Sequence, residues 1–134
     1  MYSWSTTVNS ELDKKLVEKY SDIFRDRRGN PRETLMCWGF ECGDGWYNII
    51  DTLCNNIQMH VNIKRCAPVV ATQVKEKFGT LRFYYDGGDM RIDSLVSLVE
   101  DWSSSVCEVC GERGELKNDN GWLYTACDDH VRKR

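Results

Sequence analysis

Cys107-Glu108-Val109-Cys110 and, after a sixteen-residue spacer that begins at Gly111, Cys127-Asp128-Asp129-His130 hold the most specific pattern in the chain. Two pairs of soft ligands, each separated by two residues, match the spacing of one tetrahedral zinc site. A C-x-x-C turn directs two thiolates at one ion, and C-x-x-H at the start of a helix presents a thiolate and an imidazole from a single turn. The pattern predicts one structural Zn²⁺ per chain, held by Cys107, Cys110, Cys127 and His130. A catalytic zinc keeps one position open for water, and four good ligands leave none.

Between the two pairs, Leu116 to Leu123 reads as a small hairpin turning at Asn120-Gly121, the dipeptide favoured in type I′ turns. Thr125 is placed to cap a short final helix whose first turn holds Cys127 and His130. A knuckle, a hairpin and a helix N-terminus describe a treble-clef-like module over residues 105–134. Three thiolates and a neutral imidazole leave one surplus negative charge around Zn²⁺, which helix N-terminal amides and Arg132 to Arg134 are placed to offset.

Moving outward, Ile92, Leu95, Val96, Val99 and Trp102 recur at helical spacing behind Asp89, a predicted N-cap, and the pattern fades at Ser103. Before that helix, Val69 to Lys77 and Thr80 to Tyr85 read as a β-hairpin with a Phe78-Gly79 turn. Leu81, Phe83 and Tyr85 share one face, Arg82 and Tyr84 the other. Asp44 is read as the cap of a helix reaching Ile63, whose apolar stripe of Trp46, Ile50, Leu53 and Ile57 marks it as the core helix. Thr34 to Gly43 reads as a buried loop or short strand. Leu12, Leu16, Tyr20 and Ile23–Phe24 predict a first helix from Ser10, its N-cap, to about Phe24. The expected fold is α+β: helices packed on a β-hairpin or small antiparallel sheet, with residues 1–104 as the core domain and 105–134 as a zinc module packed on it.

The composition suits a globular protein: 134 residues, 41% hydrophobic and 11% aromatic. A net charge of −3 argues against a strong nonspecific nucleic-acid binder. No run of apolar residues is long enough to span a membrane, and Met1 to Thr6 lacks the features of a signal peptide. Seven cysteines, an odd count with three in the zinc motif, favour a reducing cytoplasm over a disulfide scaffold. Cys37, Cys42, His60 and Cys66 have the ligand types for a second metal, but their spacing matches no compact motif. The cysteines, Cys54 included, read as core thiols, and His60 as a cap or surface residue.

No phosphate-binding, hydrolase or metalloprotease motif occurs. The segment Arg25–Arg32 places four arginines in eight residues around a Gly-Asn-Pro turn, either as a solvated loop or as a clamp for phosphates. Glu41, Asp44 and Asp51 are the carboxylates nearest the Gly43-Asp44-Gly45 turn, and two of them, Glu41 and Asp44 foremost, are candidates to hold Mg²⁺. Asp44 as a helix cap and Asp51 on the polar helix face is the simpler reading. Trp46 and Tyr84 are candidate stacking rings, with Lys77, Arg82 and Arg28 as candidate phosphate contacts.

Three blocks, Phe40 to Asp51, Val74 to Tyr84, and Cys107 to Gly111 with Thr125-Ala126-Cys127 and His130, resemble a family of small bacteriophage and prophage proteins. The resemblance covers about two thirds of the chain and implies a phage protein acting in the host cytoplasm. It carries over no catalytic residues. Small phage accessory proteins often counter host defences, some by sequestering nucleotide signals, so the leading expectation is a non-enzymatic sponge for a nucleotide-type ligand. The candidate binding residues are Arg28, Glu41, Asp44, Trp46, Lys77, Arg82 and Tyr84. The alternatives are a zinc-finger adaptor for a host protein, or less readily a nucleic acid, and a small Mg²⁺-dependent phosphohydrolase. The oligomeric state stays open.

Overall fold

The hydrophobic residues of three helices and a three-stranded sheet meet in one core, to which a two-stranded C-terminal ribbon is attached. The structure is a computed structural model and describes residues 6–131. The basic tail Arg132 to Arg134 and the first five residues, part of the segment read for a signal peptide, lie outside the described residues.

Helix α1 spans Ser10–Lys19, shorter than the periodicity predicts, and its cap is Asn9 rather than Ser10. The Asn9 side chain accepts from the Leu12 amide at 3.0 Å. The apolar pattern continues past the helix because Tyr20, Ile23 and Phe24 remain buried in the turns that follow. Helical periodicity reports a buried face, and a turn can supply one as well as a helix.

Strand β1 is Phe40–Glu41, and α2 runs from Tyr47 to Lys64 after a 3₁₀ turn at Asp44–Trp46. Asp44 does not cap α2 with its side chain. Both of its oxygens instead take Asn9, from the backbone amide at 2.8 Å and from Nδ2 at 2.9 Å. Strands β2 (Val70–Lys77) and β3 (Thr80–Asp86) form the expected hairpin. Phe78 and Gly79 both have positive φ, 53° and 84°, the signature of a type I′ turn. Strand β1 joins β2 in parallel, with Phe40 opposite Val74, so the sheet is mixed rather than antiparallel. The α2 crossover makes that parallel pairing attainable.

Phe40, Ala71, Val74, Leu81 and Phe83 form the core face of this sheet. The ring of Phe24 packs edge-on against Phe40 at 4.9 Å between centroids and against Phe83 at 6.4 Å. Helix α3 (Met90–Ser103) is capped by Asp89 as predicted, with Oδ1 accepting from the Ile92 amide at 3.1 Å. Its last turns close the free edge of β3: Ser103 Oγ accepts the Leu81 amide at 2.8 Å, and Glu100 Oε2 the Phe83 amide at 2.9 Å. An unpaired strand edge is a template for aggregation, and α3 removes it.

Candidate metal centre and ligand face

The chain leaves α3 through a turn at Ser104–Ser105 and enters a tight loop. There the Cys107 amide donates to the Glu112 carbonyl at 2.7 Å, and the Gly111 amide to the Cys107 carbonyl at 2.9 Å. Strands β4 (Glu115–Asp119) and β5 (Trp122–Ala126) follow, turning at Asn120-Gly121 with φ of 51° and 90°. Cys127 leaves β5 and His130 sits on a 3₁₀ turn at Asp128–His130. Thr125 is not a helix cap. It lies on β5 and donates its hydroxyl to the Gly79 carbonyl at 2.7 Å. The described residues show the knuckle and the hairpin, with a 3₁₀ turn where the predicted helix would begin.

The loop and the turn bring the donor atoms of Cys107, Cys110, Cys127 and His130 within 4.8 Å of one another. Cys110 Sγ lies 3.7 Å from Cys127 Sγ, Cys107 Sγ lies 3.7 Å from His130 Nδ1, and Cys127 Sγ lies 3.1 Å from the same nitrogen. A tetrahedral ion with zinc-like bond lengths needs S–S edges of about 3.8 Å and S–N edges of about 3.5 Å. Two of the three separations meet that requirement, and the third needs to open by about 0.4 Å. Burial pushes the Cys107 thiol up, but the amides of Cys127, Cys110 and Val109 outweigh it and bring the group down to about 7. For Cys110, burial foremost and then the neighbouring thiols Cys107 and Cys127 push the group up to about 11. One thiolate is readily formed, and further negative sulfurs beside it call for a cation among them. This cluster has the geometry and the chemistry to hold a metal ion, and four donors complete a tetrahedral shell.

The core holds this loop through the Gly43–Trp46 turn. Glu108 Oε2 accepts the Gly43 amide at 2.9 Å, the Glu108 carbonyl accepts the Gly45 amide at 2.8 Å, and Trp46 Nε1 donates to the Val106 carbonyl at 2.8 Å. A Cβ at Gly45 would overlap the backbone carbonyl of Cys107 and come within 2.6 Å of the Glu108 carbonyl carbon. The glycines of this turn therefore make room for the metal loop. Trp46 is fully buried and presents no surface to a ligand, which removes it from the stacking candidates.

The remaining candidates fall into separate places. Asp44 is engaged by Asn9, and Glu41 accepts from Gln73 Nε2 at 3.2 Å. Among the described residues neither carboxylate belongs to a group of three or more metal donors. Arg27 is anchored, forking onto the Asp13 carboxylate and donating to the Cys37 carbonyl at 2.8 Å. Arg28 lines a cavity of about 550 Å³ with Lys14 and Glu18. Lys77 lies over the exposed Phe78 ring at 5.6 Å.

Two candidates do share a surface. On the sheet face opposite the core, Gln73 pairs with Tyr84 and Lys75 with Arg82. Tyr84 is 42% exposed and lines a cavity of about 430 Å³ with Gln73, Arg32 and Leu35. Arg82 Nε is buried without a hydrogen-bond partner among the described residues, while the positive charge of the side chain acts on the Glu100 carboxylate of α3. An unpaired buried donor costs about 1–3 kcal/mol, and native proteins rarely keep one without a use.

Cys42 and Cys54 are buried core thiols, pushed well above their ordinary range by burial first of all. Cys37 is half-buried and donates to the Thr34 carbonyl at 3.4 Å. Cys66 is different. It meets His60 and Asp89 in a second donor group, which no spacing in the sequence announces because the three come from separate segments. No helix among the described residues is long and apolar enough to cross a membrane. No family model, curated protein or solved structure matches the chain.

Proposed function

We propose that the chain is a non-enzymatic binding protein that captures a nucleotide-type small molecule on the sheet face carrying Gln73, Lys75, Arg82 and Tyr84. The observation that carries this reading is the half-exposed ring of Tyr84 with Arg82 on the same face of β3. A base stacks on Tyr84, and phosphates take the forked donors of Arg82 with support from Lys75 and Arg32. Arg28, Asp44 and Trp46 drop out of the ligand set. Zn²⁺ in the Cys107–His130 cluster completes a treble-clef-like module and acts as a staple. In the phage setting that the family resemblance implies, the protein is a sponge that removes a host immune signal in the cytoplasm.

Thermal melting across a panel of cyclic and ADP-ribose-type nucleotides tests the reading, followed by denaturation of the complex. A raised melting temperature and recovery of the intact nucleotide support it. No shift with any member of the panel, or turnover of the ligand, counts against it.

The adaptor reading draws on Met59 and Ile63 of α2 and Leu98 of α3, which are 52%, 70% and 65% exposed. A host protein that co-purifies, and is lost on introducing charge at Ile63, favours that alternative.

A further inference from the structure

His60, Cys66 and Asp89 place an imidazole, a thiol and a carboxylate oxygen within 4.8 Å of one another. They come from the last turns of α2, from the segment after it, and from the N-cap of α3. His60 Nε2 is 2.7 Å from Asp89 Oδ2, and the His60 side chain is only 15% exposed. The other oxygen, Oδ1, takes the Ile92 amide, so the carboxylate is oriented from the helix side and offers Oδ2 to its neighbours. An outer partner of this kind is what fixes a metal-ligating carboxylate.

The backbone is built to bring Cys66 to this point. Arg65 ends α2 in the left-handed region at φ 53°, an unfavourable conformation for a non-glycine residue, and thereby turns the chain back beside the helix end. The Gly88 amide donates to the Ala67 carbonyl at 2.9 Å, which ties the residue after Cys66 to the residue before Asp89. Gly87, at φ 84°, packs so closely that a Cβ would overlap the Pro68 carbonyl. The connection before β2 and the connection after β3 are therefore locked together, and the donors approach from a rigid frame.

We infer that His60, Cys66 and Asp89 form a second metal site, a three-donor N, S, O site for a divalent ion of the zinc class with one coordination position left to solvent or an exogenous ligand. Three protein donors with an open fourth position distinguish it from the closed four-donor cluster at the C-terminus. Donor separations in such a site are about 3.3–3.8 Å. The His60–Asp89 contact, 2.7 Å as it stands, has to open by about 0.6 Å to reach that range. The ion takes the place of the proton between Nε2 and Oδ2, the imidazole binding as the neutral ring with its proton on Nδ1 and any further proton released to solvent; the Cys66 thiol proton also leaves to solvent. His60, alone of the three donors, also lines a cavity of about 270 Å³ with Lys64 and Arg91, whose positive charges make a small anion the suitable class of exogenous ligand.

The test uses the full chain with its C-terminal cluster loaded with zinc, titrated with Co²⁺ under reducing, oxygen-free conditions. Metals are counted by native mass spectrometry, and absorption is recorded. Zinc binds such ligands more tightly than cobalt, so the closed cluster keeps its ion. The expected result is one added cobalt per chain, with a sulfur-to-cobalt charge-transfer band that vanishes in Cys66→Ala and in His60→Gln. Asp89→Asn keeps an oxygen to cap α3 and weakens cobalt binding about tenfold or more, with melting little changed. Failure of the wild-type chain to take a second ion, or a charge-transfer band that survives Cys66→Ala, overturns the site. These outcomes do not depend on whether the sheet face binds a nucleotide.

Discussion

Glu108, between the two knuckle cysteines, accepts the Gly43 amide on its carboxylate at 2.9 Å, across 65 positions of sequence. The metal loop is thus wired to the turn that opens the core helix. The Gly45 amide on the Glu108 carbonyl, at 2.8 Å, makes the contact two-sided.

Gly45→Ala should force the metal loop away from the core, since its Cβ meets backbone that cannot rotate aside. The expected cost is more than about 2 kcal/mol, in the range of overpacking and broken buried networks. Glu108→Ala, which strands the buried Gly43 amide, should cost about 1–3 kcal/mol, and Glu108→Gln less because it keeps an acceptor. Urea unfolding of the three variants, with metal content held constant, measures the order.

Cys110 is exposed, so Cys110→Ser removes a ligand without removing core packing. On the proposed reading of one zinc per chain, tightly held metal should fall to a small fraction, and amide protection in β4 and β5 should collapse while α2 stays protected. Metal analysis after dialysis and hydrogen exchange give the two readouts. A variant that retains its zinc would show that the cluster does not bind as argued.

Arg82→Met removes the unpartnered Nε and keeps most of the side-chain volume. Stability should change by no more than about 1 kcal/mol, since eliminating a buried donor without a hydrogen-bond partner offsets the lost attraction to Glu100. Nucleotide capture should be lost, and Tyr84→Ala should weaken it by about 1–3 kcal/mol, the worth of one stacked base. Calorimetric titration beside thermal melting separates the two effects. A large loss of stability in Arg82→Met would mark the side chain as structural.

Asp51 accepts from Tyr20 Oη at 2.6 Å and from Lys19 Nζ at 2.9 Å. Burial alone would raise its carboxyl, but these two bonds outweigh burial and hold it below the ordinary 3.8. The folded-state value is depressed, so this contribution to stability is full above the ordinary carboxylate range and is lost as pH falls through the folded value. Asp51→Asn should flatten the acid limb of the stability profile below about pH 4 and lower stability at neutral pH. Chemical unfolding from pH 7 down to pH 2 follows both changes.

Much of this architecture could be read in advance where the signal was local. The β2–β3 and β4–β5 hairpins, the Asp89 cap and the four-donor cluster depend on residues within a few positions of one another, or on a turn whose geometry a dipeptide dictates. Local sequence misleads where one residue has two local uses and distance decides between them. Asp44 reads as a cap, and Trp46 both as part of the core stripe and as a ring for stacking. Asn9 takes the first, and the Val106 carbonyl with the surrounding core takes the second. Likewise Phe40–Glu41 carried no mark of its parallel partner, because the pairing is made by a crossover through all of α2.

The sequence by itself determined the four-donor cluster that can hold a metal ion. Its ligands lie on two tight turns, and turn geometry is a short-range property that residue types and spacing specify. Only the tertiary structure decided what that cluster is attached to and where other chemistry gathers. Gly43 against Glu108, Tyr84 with Arg82 on an open sheet face, and His60 with Cys66 and Asp89 are contacts between distant segments. They exist because burying one shared core leaves few ways to pack these helices and strands, and side chains remote in sequence become neighbours only in that packing.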